Sequence, residues 1–182
     1  PPGRPPCLRA TYLPLSRGAV RGGLSNRIAT RAPVVEHARR TAYGGIGGDY
    51  RILFNGVEAG CFANAPAWKS EGPTVLFFGR HGSRKGLAVL LAARHALADD
   101  VTIWVAGSGP ETERLKAETA NDPRVVWLGR GDGPELAARP AGAARACPPP
   151  LHGESCGGVV LGAVAAGTAA VGSELPGSRA DA

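Results

Sequence analysis

Three largely apolar runs punctuate this 182-residue chain between residues 74 and 128. Thr74-Val75-Leu76-Phe77-Phe78, Val101-Thr102-Ile103-Trp104-Val105 and Arg124-Val125-Val126-Trp127-Leu128 each read as a strand. A strand wetted on one face alternates apolar and polar residues. A run that is apolar almost throughout is buried on both faces, as in a parallel sheet covered by two layers. Helical spacing falls between the runs, over Lys85 to Leu97 with Leu87, Leu90 and Leu91 in register. A second helix is expected after Pro110, with Glu111 and Glu113 in its first turn. A weaker one covers about Gly133 to Ala138, and a last one follows the Gly-rich loop 153–158 and ends at Ala166, before a strand at Thr168 to Val171. Strand and helix in alternation predict an α/β domain, a parallel sheet with helices on both faces. Ligands bind such sheets past the carboxyl ends of the strands.

The first 72 residues are less regular. Residues 1–24 interleave Pro, Arg and Gly and predict poorly ordered chain. Helical spacing returns over Val34 to Thr41, and Tyr50 to Phe54 reads as a strand stopped by Asn55-Gly56. Residues 57–72 read as a linker broken by Gly60, Pro66, Ser70 and Gly72. The chain contains no Met and begins at Pro1, so it is expected to be a piece of a longer parent.

The net charge of +6 comes from 21 Lys and Arg against 15 Asp and Glu. The arginines are scattered, and aromatics make up only 5% of residues, a poor supply for base stacking. Cys7, Cys61, Cys147 and Cys156 show no metal-binding spacing and read as free thiols. No signal peptide is visible, and the stretch 157–172 is too short to span a membrane.

Three loops follow strand ends. Gly79-Arg80-His81-Gly82-Ser83-Arg84-Lys85-Gly86 sets two cations, Arg80 and Lys85, beside a helix start, an arrangement suited to a diphosphate or simply a charged surface loop. Val105-Ala106-Gly107-Ser108-Gly109-Pro110 is either a ligand-facing turn or a tight turn only. His152-Gly153-Glu154-Ser155-Cys156-Gly157-Gly158 puts an acid in a Gly-rich loop, where Glu154 either accepts hydrogen bonds from sugar hydroxyls or caps the following helix.

Taken in order, these loops with Trp127-Leu128-Gly129 and Ala165-Ala166-Gly167-Thr168 resemble the donor domain of a retaining glycosyltransferase of the GT-B fold. The likeness is to family four, the phosphatidylinositol mannosyltransferase-like group, and it extends over residues 25–182. Asn55-Gly56-Val57-Glu58 resembles that group's interdomain linker. The resemblance implies a Rossmann-like donor domain at 73–182, incomplete at its C-terminus, with 25–56 as the remnant of an acceptor-side domain. It implies that Arg80 and Lys85 hold the donor diphosphate and that Glu154 contacts the hexose. Gly79, Gly107, Leu128, Gly129, Cys156, Gly157 and Gly158 would line the nucleotide and phosphate pocket. The implied donor is a nucleotide sugar, GDP-mannose foremost or a UDP-hexose, with no cofactor and no metal. The implied acceptor is a lipid or glycan reached through the missing domain. The implied location is cytoplasmic, peripheral to the inner membrane face in the full-length parent.

Two departures weigh on activity. The family pairs two glutamates, the second accepting the ribose hydroxyls, but Gly162 stands where that second glutamate belongs. Losing such a charge-assisted bond costs roughly ten- to hundredfold in affinity. Arg145 occupies a strand position expected to be buried. The chain alone is therefore expected to be inactive, and restoring a carboxylate at 162 is expected to raise donor affinity. The competing readings are a non-catalytic nucleotide-binding or interaction module and a basic nucleic-acid binder.

Overall fold

The computed structural model describes residues 8–9, 56–131, 133–152 and 158–175. Its centre is a four-stranded parallel sheet in the order β5-β4-β3-β6. These strands are β3 (Thr74–Arg80), β4 (Thr102–Ser108), β5 (Val125–Gly129) and β6 (Arg145–Ala146). A short pair, β1 (Leu8–Arg9) and β2 (Gly56–Val57), runs antiparallel. The helices are α1 (Ala59–Ala63), α2 (Leu87–Ala93), α3 (Thr112–Glu118), α4 (Gly133–Gly142) and α5 (Gly158–Ala165). Single 3-10 turns at Ser83–Lys85 and Arg94–Ala96 flank α2.

Successive side chains of a strand point to opposite faces, and here they build two separate cores. Phe77, Ile103, Val105 and Val125 face one way and pack with Leu87, Leu90 and Leu91 of α2 and Leu115 of α3. Leu76, Phe78, Trp104 and Ala106 face the other way, against Leu136 of α4 and Val159 of α5. The layers are therefore helix, sheet, helix, as the continuous apolar runs imply. Burial of each large side chain contributes about 1.5–3 kcal/mol.

Several elements differ from the sequence expectation. The linker contains α1, a single turn held by Phe62, which is buried against Ala137 of α4. Helix α4 runs past Ala138 to Gly142 and includes Pro140. The carbonyl of Pro140 accepts from Thr168 Oγ1 at 2.6 Å, and the backbone of Trp68 lies so close to Gly142 that a Cβ there would sit 2.1 Å from a carbonyl oxygen. Arg145 is exposed, and its neighbour Ala146 takes the buried place against Leu76. The expected final strand is one bridge, Ala146 to Ala170. Residues 34–41 and 50–54 lie outside the described residues.

No helix among the described residues is long and apolar enough to cross a membrane.

Candidate functional site

The carboxyl ends of β3, β4 and β5 lie side by side. Gly79 pairs with Gly107, Arg80 with Ser108, and Ala106 with Gly129. At Gly107 the backbone is left-handed (φ 119°), and an added Cβ would fall 1.9 Å from the carbonyl oxygen of Gly79. Only glycine fits there, so the tightness of the sheet edge itself sets the identity. The Cβ direction of Gly79 leads to Val159 in the first turn of α5, at 3.8 Å. The structure thus brings together Gly79, Gly107, Gly129 and Gly158, the start of α5.

Arg80 ends β3 and is exposed at this edge, while Lys85 closes the following 3-10 turn and is half-buried. The turn is anchored from beside it. Arg84 accepts a hydrogen bond from Leu151 N–H at 2.9 Å, and Gly86 stands directly against the carbonyl of Pro149. The segment 147–151, which leads to the Gly-rich loop, is therefore fastened to the loop that carries both cations. Leu128 is half-buried at the end of β5. Glu154, Cys156 and Gly157 lie outside the described residues.

Position 162 is buried. It lies inside α5, and an added Cβ would meet Phe62 Cε1 at 2.9 Å, Phe62 Cζ at 3.1 Å and Phe78 Cζ at 3.5 Å. The first carbon of a side chain there therefore meets ring atoms.

Two residues central to this edge carried no signal in the sequence reading. His81, inside the expected charged loop, is 1% exposed. Its Nδ1 lies 2.8 Å from Thr112 Oγ1 and its Nε2 3.4 Å from the Ala106 carbonyl. Its backbone N–H donates to Ser108, its carbonyl accepts from Glu111 N–H, and Gly109 packs directly on it. His81 thus joins the loops after β3 and β4. Burial lowers its pKa below the ordinary 6.5, the Ala106 hydrogen bond opposing and Lys116 assisting. A depressed imidazole pKa stabilises the fold above 6.5 and is lost as pH falls through the folded value. The thermal midpoint is therefore expected to fall between pH 7.5 and 5, and H81Q is expected to flatten that slope. An unchanged slope in H81Q melts would refute the assignment.

Arg139 is the second. It stands on α4, 1% exposed, and reaches back under the end of β5. Desolvation lowers its pKa and Glu135 acts the other way. The sequence expectation ends this helix at Ala138, before the stretch interrupted by Pro140, and so leaves Arg139 off it.

Comparison with known proteins agrees with this architecture. The family described as "Glycosyl transferases group 1" matches residues 72–181. A phosphatidyl-myo-inositol mannosyltransferase of Mycolicibacterium smegmatis is 39% identical over 160 residues, which covers 84% of this chain and 42% of that protein. Its namesake in Mycobacterium tuberculosis is 34% identical over 164 residues, covering 86% and 43%. The chain thus spans less than half the length of these curated relatives. Among solved structures, Anabaena HepE in complex with UDP superposes with a TM-score of 0.69 at 19% identity, over 86% of this chain and 48% of that one. Sucrose-phosphate synthase from Thermosynechococcus elongatus gives 0.68 at 24% identity, over 91% and 47%. The fold is that of the GT-B glycosyltransferases, with its Rossmann-like parallel sheet. A matched family spanning most of the chain, on a sheet whose strand ends meet in glycine, makes this protein a member of the group 1 glycosyl transferases.

Proposed function

We propose that residues 73–182 form the nucleotide-sugar donor domain of a retaining hexosyltransferase. The proposed parent reaction moves mannose from GDP-mannose to a phosphatidylinositol-type lipid. One observation carries the donor reading: three strand ends meet at Gly79, Gly107 and Gly129 with Arg80 exposed beside them and Lys85 one turn on. Glycines let a ligand approach the backbone closely, and the cations supply charge for a departing diphosphate. The choice of mannose and of a phosphatidylinositol acceptor rests on the names of the relatives at 34–39% identity. In this reading residues 25–56 come from the acceptor side, 57–72 are the linker between domains, and the parent works in the cytoplasm against the inner membrane face.

Within that scheme the carbon–oxygen bond from the anomeric carbon to the diphosphate breaks, the oxygen of an acceptor hydroxyl bonds that carbon on the same face, and the hydroxyl proton passes to the departing diphosphate. Arg80 and Lys85 neutralise the leaving diphosphate. Glu154 orients the hexose, and Cys156, Gly157 and Gly158 present backbone to its phosphate.

Titration calorimetry of the 182-residue chain with GDP, UDP and GDP-mannose tests this. Binding is expected to weaken roughly ten- to hundredfold in R80A and in K85A. No heat from any of the three at millimolar concentration would end the donor reading. A second reading, a non-catalytic nucleotide-binding module, draws on the glycine at 162. The two separate on turnover by the parent with a lipid acceptor, since the module binds nucleotide but transfers nothing.

A further inference from the structure

Among the described residues β5 is an edge strand, so the carbonyls at its outer end have no neighbouring strand there to satisfy them. Arg139 takes that part. Its Nη1 donates to the Gly129 carbonyl at 3.0 Å and its Nη2 to the Leu128 carbonyl at 3.2 Å. The loop then folds over the guanidinium: a Cβ on Gly131 would come within 2.8 Å of Arg139 Cζ and 2.9 Å of both terminal nitrogens. The Trp68 ring lies 5.2 Å from the same group, and Glu135 Oε2 stands 3.7 Å away at the rim.

Burying a guanidinium carries a desolvation cost that an aliphatic residue on α4 would avoid. Its Nε has no hydrogen-bond partner among the described residues, so the pairing is incomplete even here. What the charge provides in return is geometry. A planar fork holds two successive carbonyls in one fixed geometry, which an apolar residue cannot do and a lysine, with rotatable donors, does not enforce.

We infer that Arg139 is the positioning residue of the loop after β5, fixing Leu128 and Gly129, the strand end at which the donor reading would seat the nucleobase. The inference rests on the donor reading above and deepens it. Arg139 touches no donor atom, and its effect falls on base recognition, because the diphosphate cations Arg80 and Lys85 belong to a different loop.

The test compares GDP, UDP and inorganic pyrophosphate as calorimetric titrants of the 182-residue chain. In R139M both nucleotides are expected to lose about tenfold in affinity while pyrophosphate stays within about twofold. R139K is expected to recover only part of the loss, since an ammonium lacks the rigid planar fork. A purely packing role lowers the melting temperature without changing the ratio of nucleotide to pyrophosphate affinity. Should R139M not fold, G131A carries the test, because its Cβ displaces the loop from an intact guanidinium, and the same selective loss is expected. Equal losses for all three titrants, or none, would overturn the inference while the donor reading stands. A wild-type chain that binds neither nucleotide overturns the donor reading, and this inference with it.

Discussion

Gly86→Ala is expected to lower the thermal midpoint by roughly 10 °C, corresponding to a loss on the order of 3 kcal/mol. Two independent costs meet at this residue. Its backbone is left-handed, with φ at 72°, where a Cβ costs about 1–2 kcal/mol. The Cβ would also sit 1.7 Å from the carbonyl oxygen of Pro149 and 2.7 Å from its carbon, so main chain must move, at about 1–3 kcal/mol more. The control is Gly82→Ala in the same loop, where nothing lies within 4 Å of the added carbon. That change is expected to stay within about 0.5 kcal/mol of wild type. Circular-dichroism melts of the two variants decide the matter. Equal midpoints would mean that the Pro149 contact does not hold the loop. Since the same contact ties the segment 147–151 to the cation loop, G86A is also expected to lose donor affinity even at temperatures where it remains folded.

The second large effect is expected at Gly162. From sequence alone, a glutamate there should repair the ribose contact. In the fold, a side chain at 162 first meets Phe62 and Phe78, which are 1% and 3% exposed. Gly162→Glu gains about 1 kcal/mol of helix propensity. Against that it overpacks two rings and starts a carboxylate in apolar surroundings, for a net loss on the order of 2–4 kcal/mol. Phe62→Leu removes the ring atoms in the way and is expected to cost about 1 kcal/mol on its own. The double variant should therefore be more stable than the two losses added together, by about 1 kcal/mol or more. Strict additivity in a denaturant double-mutant cycle would show that Phe62 is not what excludes the side chain. Any recovery of nucleotide affinity is expected in the F62L background, where the carboxylate has room to turn toward the strand ends.

These two positions also show where sequence reading succeeds and where it stops. The central strands are plain because a strand covered on both faces has no polar positions to obscure it, as in Leu76, Phe77 and Phe78. The loops after the strands are equally plain, since the chain must turn there and glycine marks the turn. The Ala-Ala-Gly-Thr motif shows its reason only in three dimensions. Thr168 N–H donates to the Ala163 carbonyl as α5 ends, and the Thr168 hydroxyl binds Pro140 across the layer. Helix α1 is not readable, because five residues of Ala, Gly, Cys and Phe have no period and depend on where Phe62 lands. Arg145 and Ala146 exchange places because a shift of one residue along a strand reverses every side chain. His81 and Arg139 defeat sequence reading for another reason. Each is a polar residue that pays for burial with hydrogen bonds to carbonyls far along the chain, and no local pattern announces those partners.

The row formed by Gly79, Gly107 and Gly129 has a consequence for how such a pocket changes over time. A floor made of main chain offers mutation no side chain to alter, and at Gly107 any replacement collides with the strand beside it. On the donor reading, chemical change is thereby channelled to the side chains beside that floor, to positions such as 80 and 85. Shape and chemistry in this site are inherited separately.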